Sequence, residues 1–219
     1  PWAVYHEPGH MPECLPEWLR HWRGDGIIAR VRNPGIAETL ASAGIPVVDV
    51  LDDCPHPKNA AVRVSNAGIA RLALDHFLDR GFCRFAYCGI HGRRWVRLRG
   101  DAFVRFAREA GHECAVYELP QRETKAWYAE AQRERLADFV QRLPKPCAIL
   151  ACNDLAGQRV LDACRRAGVA VPESVAVLGV DHDESLCEIS DPLLSSIIAG
   201  QEQVGYRAAA LVGQMNTGQ

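Results

Sequence analysis

The chain has 219 residues, 48% of them hydrophobic and 24% charged, an ordinary balance for a globular protein long enough to bury a sizeable core. Lys and Arg number 25 against 27 Asp and Glu, a formal net charge of −2, so the segment itself has no electrostatic case for binding nucleic acid. No apolar run approaches the roughly 20 residues of a membrane helix, and the opening "PWAVYHEPGHMPE" lacks the basic-then-apolar order of a signal peptide; a chain starting at Pro1 reads as a trimmed fragment.

Taken in order, short apolar runs alternate with amphipathic stretches. "WAVYHE" is a candidate strand, followed by a helical pattern over 16–22. "GIIARV" is the next strand, then a helix over 35–43, the strand "PVVDV" and a helix over 66–79. "RFAYCGI" follows, with a helix over 95–110, then "CAVYEL", a helix over 125–142 and the strand "CAILACN". In the helix over 155–167, Ala156, Val160, Ala163, Cys164 and Ala167 share one face, and Gly168 ends it. The strand "VAVLGVD" and a last helix from Gln201 to about Gln214 complete the series. Regular alternation of this kind predicts an α/β fold, a mainly parallel sheet flanked by helices on both faces. "HGRRW" and "SDPLLSSIIAG" are candidate crossovers between two lobes.

Nine cysteines, at 14, 54, 83, 88, 114, 147, 152, 164 and 187, include no C-x-x-C and mostly sit in apolar surroundings. Buried free thiols in a reducing cytoplasm are expected.

In α/β sheets ligands bind outside the carboxyl ends of the strands. Arg30, His91, Asn153, Asp154 and Asp181 occupy those positions. The run "DHDES", from Asp181, admits three readings. Its carboxylates could converge on a metal ion. Its D-x-D spacing could serve a magnesium-dependent phosphotransferase, with Asp181 attacking phosphorus and Asp183 shuttling the proton. Or Asp183 and Glu184 simply cap the next helix. Only Arg207 is basic among the 35 residues after Glu184, so phosphate binding would have to come from elsewhere. Asn153 or Asp154 caps the helix that follows, leaving the other for the crevice.

"GRRWVRLRGDAF" holds four arginines, and Arg97–Asp101 has i,i+4 spacing. Arg99 instead shares the inward face with Phe103, Phe106 and Ala110, where its planar fork suits a carboxylate or vicinal hydroxyls. Trp95, one turn earlier, offers either a platform for a sugar face or plain core. There is no nucleophile elbow and no phosphate-binding Gly-rich loop.

The run "NDLAGQRVLDACRRAGVAVPESVAVLGVDHDE" with "DPLLSSI", together with "VSNAGIARLALDHFLDRGFCRFAYCG" and "RGDAF", resembles the sugar-binding core of the lactose/galactose repressor family. "PWAVYHEP", "WLRHWRGDGIIARV", "AGIPVVDV" and "RWVRLRGDAF" are most similar to its bacterial xylose-operon activators. The resemblance implies a two-lobed, periplasmic-binding-protein-like fold with a sugar in the cleft. It implies ligand roles for Arg99, Asp154, Asp181 and Asn153, with Trp95 beside Arg99. It divides the chain into an N-terminal lobe over 1–90, a C-terminal lobe over 91–194 and a returning segment over 195–219. It implies a non-enzymatic effector domain that takes D-xylose or a similar small sugar, without cofactor or metal, in the cytoplasm. DNA would be bound by a module outside this chain, and the protein would be a homodimer without membrane contact. The chain departs from the family at Ser65-Asn66, where Asp-Asn is usual, and it lacks the family's opening strand. A periplasmic sugar-binding transport protein is the remaining alternative.

Overall fold

The computed structural model describes residues 3–6, 19, 22–51 and 53–217. Most of the expected helix over 16–22, Cys14, and half of "PWAVYHEP" lie outside the described residues; residues 3–6 form no strand.

The described chain divides into two compact units, one built from residues up to 63 and from 203 onward, the other from 64–202. In the first unit, β1 (Ile27–Ala29), β2 (Val47–Asp49) and β3 (Ala60–Ala61) form a parallel sheet in that order, with Ile27 opposite Val47 and Val48 opposite Ala60. Helix α1 (Pro34–Ala41) starts where Asn33 caps it, its Oδ1 accepting the Ile36 N–H at 2.8 Å, and Pro34 supplies a pre-set φ at the first helical position. Alternation along β2 sends neighbouring residues to opposite faces. Val47 therefore joins Val31, Ile36, Ala37 and Leu40, whereas Val48 joins Ala208 and Val212 of the last helix.

The second unit is a five-stranded, all-parallel sheet. Its strands are β4 (Phe85–Ile90), β5 (Cys114–Leu119), β6 (Cys147–Ala151), β7 (Val175–Val180) and β8 (Ser195–Ile197), ordered β5-β4-β6-β7-β8. Every residue of β4 and β6 is buried, as central parallel strands covered on both faces require. Helices α2 (Asn66–Leu78) and α3 (Arg94–Glu109) pack on each other, as do α5 (Glu130–Arg142) and α6 (Asp154–Arg166). Phe77, Phe85 and Phe103 form an edge-and-stack cluster with centroids 6.2 to 6.3 Å apart. Gly100 brings α3 close to β4: a Cβ there would meet the Tyr87 ring at 2.5 Å, and the Tyr87 hydroxyl donates to the Val96 carbonyl at 2.8 Å.

Several expectations change in detail. The helix predicted over 125–142 is two, α4 (Lys125–Tyr128) and α5, broken where Ala129 adopts an extended ψ of 137°. Two short strands were not predicted, β3 and β8, the latter inside the stretch read as a crossover, and α7 (Glu184–Glu188) is the short helix implied only by the capping reading of Asp183. Each is shorter than two periods of its own pattern. The last helix, α8, runs over Gln201–Thr217. The compact units change over at 63/64 and 202/203, whereas the sequence reading placed the divisions at 90/91 and 194/195. The reason is packing: α2 and β4 share the core of the second sheet. Arg97 and Asp101 form no ion pair among the described residues; the i,i+4 pair of α3 is Arg105–Glu109 at 2.9 Å. All four residues are exposed, and there a pair is worth only about 0 to 1 kcal/mol, so i,i+4 spacing alone does not ensure that it forms.

Candidate ligand-binding site

In the second sheet β4 leads to β5 on one side, and the chain then passes to β6 on the other. The crevice outside the carboxyl ends of β4 and β6 is thus a topological switch point, where open α/β sheets bind ligands. Loops after β4, β6 and β7 supply its walls.

Arg99, in the second turn of α3, is 2% exposed. Its Nε donates to Asn66 Oδ1 at 3.2 Å, and Nη1 donates to the Cys152 carbonyl at the end of β6. The guanidinium lies 5.1 Å from the centre of the Trp95 ring, a cation–π distance. Nη2 has no hydrogen-bond partner among the described residues, so the fork is held from behind with donors to spare. Asn66 is the first residue of α2, whose N-cap Ser65 accepts the Gly68 N–H at 3.0 Å. Ser65, the departing residue, thus keeps a good cap, and Asn66 beside it buttresses Arg99.

Asn153 caps α6: its Oδ1 accepts the Ala156 N–H at 3.0 Å, and the cap does not use its amide donors. Asp154 is 1% exposed and is turned inward. Its Oδ1 accepts the Ser196 hydroxyl of β8 at 2.5 Å, and Oδ2 accepts the Asp183 N–H at 2.7 Å. Burial pushes its carboxyl above the usual aspartate value, opposed by these two hydrogen bonds. The pocket for it exists because residue 179 is glycine: a Cβ there would fall 2.2 Å from Asp154 Oδ1.

Asp181 follows β7 directly. Its φ is 103° and that of His182 is 55°, two successive non-glycine residues in the left-handed half of the map, and the first lies well outside the usual αL range. The turn is pinned by the Asp181 N–H donating to the Ile197 carbonyl at 3.0 Å. Gln201 Nε2, in the first turn of α8, donates to Asp181 Oδ1 at 3.0 Å and to its carbonyl at 3.2 Å. Asp181 is exposed at the carboxyl end of β7, and the buried Cys152 thiol feels both its charge and that of Arg99. That thiol is pushed up to about 12, chiefly by burial.

The remaining candidates stand apart. His91 is exposed and pairs with Glu118 at 3.1 Å. Asp183 Oδ1 caps α7 by accepting the Leu186 N–H at 3.2 Å, and Glu184 lies exposed in its first turn. Arg30 lies exposed after β1 in the first unit. Among the described residues no three His, Cys, Asp or Glu side chains are grouped so as to hold a metal ion.

Residues 74–219 match the periplasmic binding protein-like domain family. The chain belongs to this family. This periplasmic-binding-protein-like domain is 30% identical over 204 residues to the xylose operon regulatory protein of Escherichia coli (strain K12), covering 90% of this chain and 52% of that protein. It is 31% identical over 204 residues to the protein of the same name from Haemophilus influenzae, covering 89% and 52%. Among solved structures it matches a xylose-binding transcription activator, xylR, with a TM-score of 0.81 at 30% identity, covering 90% of this chain and 53% of that one. It also matches a LacI family transcriptional regulator from Arthrobacter sp. FB24 in complex with lactose, with a TM-score of 0.76 at 26% identity, covering 98% and 79%. The chain spans about half the length of the curated relatives it matches. The domain's relatives are thus transcription regulators of the xylose-operon and LacI types, as the sequence motifs implied.

Sequence reasoning missed Asn66, Ser196 and Gln201. A strand-end rule finds residues that follow strands; these three lie on other elements and meet the site only through the fold.

Proposed function

We propose that the chain is the ligand-sensing domain of a sugar-responsive transcription regulator, with D-xylose or a similarly small sugar as effector. The observation that carries this reading is the placement, at the carboxyl ends of the neighbouring strands β6 and β7, of the Arg99 guanidinium, Asn153 and Asp181. A guanidinium and a carboxylate each bond two adjacent hydroxyls, and a site built this way penalises a ligand that lacks one. Trp95 beside Arg99 adds an aromatic face for the sugar ring. Asp154, inside the same wall, acts on the ligand through its neighbours.

The sugar binds one of two states of the domain more tightly, and that differential affinity sets the activity of a DNA-binding module outside this chain. The regulator works as a homodimer in the cytoplasm, without cofactor, metal or catalytic step. The free thiols of the second unit, Cys83, Cys88, Cys114, Cys147, Cys152, Cys164 and Cys187, support a reducing compartment rather than a periplasmic transport role. The phosphotransferase reading is disfavoured because Asp183 Oδ1 is occupied by the α7 cap and because the relatives are regulators.

Calorimetry and thermal shift over pentoses and hexoses test the proposal. One small sugar is expected to raise the melting temperature, by about 2.7 kcal/mol of stabilisation at a hundredfold excess over Kd. Asp181→Ala should weaken its binding at least about tenfold. If no sugar binds, or if Asp181→Ala binds unchanged, the reading fails. Magnesium-dependent phosphatase activity lost in Asp181→Asn would replace it.

A further inference from the structure

We infer that Asp154 is a positioning residue of the sugar site, a buried clamp that holds three loops in register and does not itself touch the ligand. The inference rests on the proposed sugar-binding reading.

Both carboxylate oxygens are spent inside the protein. Oδ1 takes the Ser196 hydroxyl at 2.5 Å and Oδ2 the Asp183 N–H at 2.7 Å, at 1% exposure. Ser196 belongs to β8, and its hydroxyl oxygen in turn accepts the His182 N–H at 3.0 Å. Asp183 opens α7. One carboxylate therefore joins the start of α6 directly to Asp183, at the far end of the turn after β7, and through Ser196 to His182 and the edge strand β8. The two ligand-facing groups flank it on either side: Asn153 is the preceding residue, and the strained Asp181 sits between β7 and the clamped His182 and Asp183.

The clamp also accounts for the strain. Left-handed φ values of 103° at Asp181 and 55° at His182 persist only where the surroundings over-determine them. The His182 N–H held by Ser196 and the Asp183 N–H held by Asp154 are two such fixings on successive residues. Gly179 is the third part of the device, since any side chain there would occupy the place of Asp154 Oδ1. The groups facing the carboxylate are His182 from the β7 turn, Asp183 and Cys187 from α7, and Ser196 from β8.

A ligand contact and a clamp respond differently when the partner is removed. Ser196→Ala deletes a clamp bond without removing any ligand-facing side chain; Ser196→Thr restores the hydroxyl. In the complete protein, titrated calorimetrically with whichever sugar the parent binds, Ser196→Ala and Asp154→Asn should each weaken affinity about tenfold. Ser196→Thr should recover most of the loss. The double variant Ser196→Ala/Asp154→Asn should lose little more than the worse single one, because both break the same unit. Asp154→Asn losing affinity while Ser196→Ala binds as the parent does would place Asp154 on the sugar and overturn the inference. Lower melting temperatures with unchanged affinities would reduce the network to a fold-stabilising role and also overturn it. A parent that binds no pentose or hexose fails the sugar reading itself, a result distinct from either.

Discussion

At Gly179 the smallest residue of β7 is a condition for the most buried carboxylate of the unit. Gly179→Ala puts a methyl 2.2 Å from Asp154 Oδ1 and 3.3 Å from the Asp154 Cα. The carboxylate must leave its partners, so the variant should lose about 1 to 3 kcal/mol of stability, read as a shift in urea midpoint at unchanged slope. Asp154 also links stability to pH. Its folded carboxyl holds a proton more tightly than the unfolded one, whose value is near 3.8. The stabilisation from that proton is fully present below 3.8 and lost as pH rises through the higher folded value. The parent should therefore gain stability relative to Asp154→Asn as pH falls toward 3.8, measured by urea unfolding across an acidic series. Asp49, raised in the same direction by burial, is common to both proteins and cancels.

At the level of the element, α2 tests what the Ser65-Asn66 departure means. Ser65 caps the helix, so Ser65→Ala should cost about 1 kcal/mol, whereas Ser65→Asp, an equally good cap, should cost nearly nothing in thermal unfolding. The same helix shows how much was legible in advance. The long elements β4, α3, β6, α6 and β7 carry continuous apolar runs or a clear helical face, and the sequence placed each within one or two residues. Two-residue β3 and three-residue β8 have no period to read, and the break at Ala129 has neither glycine nor proline to announce it. The strand-end rule picked out Asn153, Asp154 and Asp181 as candidates from local pattern alone, together with Arg30 and His91, which stand apart. It could not reach Ser196 or Asn66, whose bonds to Asp154 and Arg99 span 42 and 33 residues. It also could not tell which of Asn153 and Asp154 faces outward: the inward turn of Asp154 depends on Gly179, on another strand.

Over the whole molecule, the division into two compact units bears on how the protein opens. The described cysteines are shared unequally between them: Cys54 lies in the first unit, and Cys83, Cys88, Cys114, Cys147, Cys152, Cys164 and Cys187 lie in the second. Cys83 is exposed, whereas Cys88, Cys147, Cys152, Cys164 and Cys187 are buried, and burial holds Cys147 and Cys164 at about 11 and Cys114 and Cys152 at about 12. A buried thiol reacts with a soluble electrophile only when its surroundings open. The chain thus carries its own set of chemical clocks. Mass spectrometry after timed alkylation should find Cys83 modified first, and the buried thiols modified together at the rate of unfolding of the second unit. Cys152 is the most informative of them, because its carbonyl holds Arg99 and its thiol lies beneath the candidate ligand groups. Added sugar should slow its alkylation while leaving that of Cys83 unchanged, so effector occupancy becomes readable as a reaction rate at a single sulfur atom.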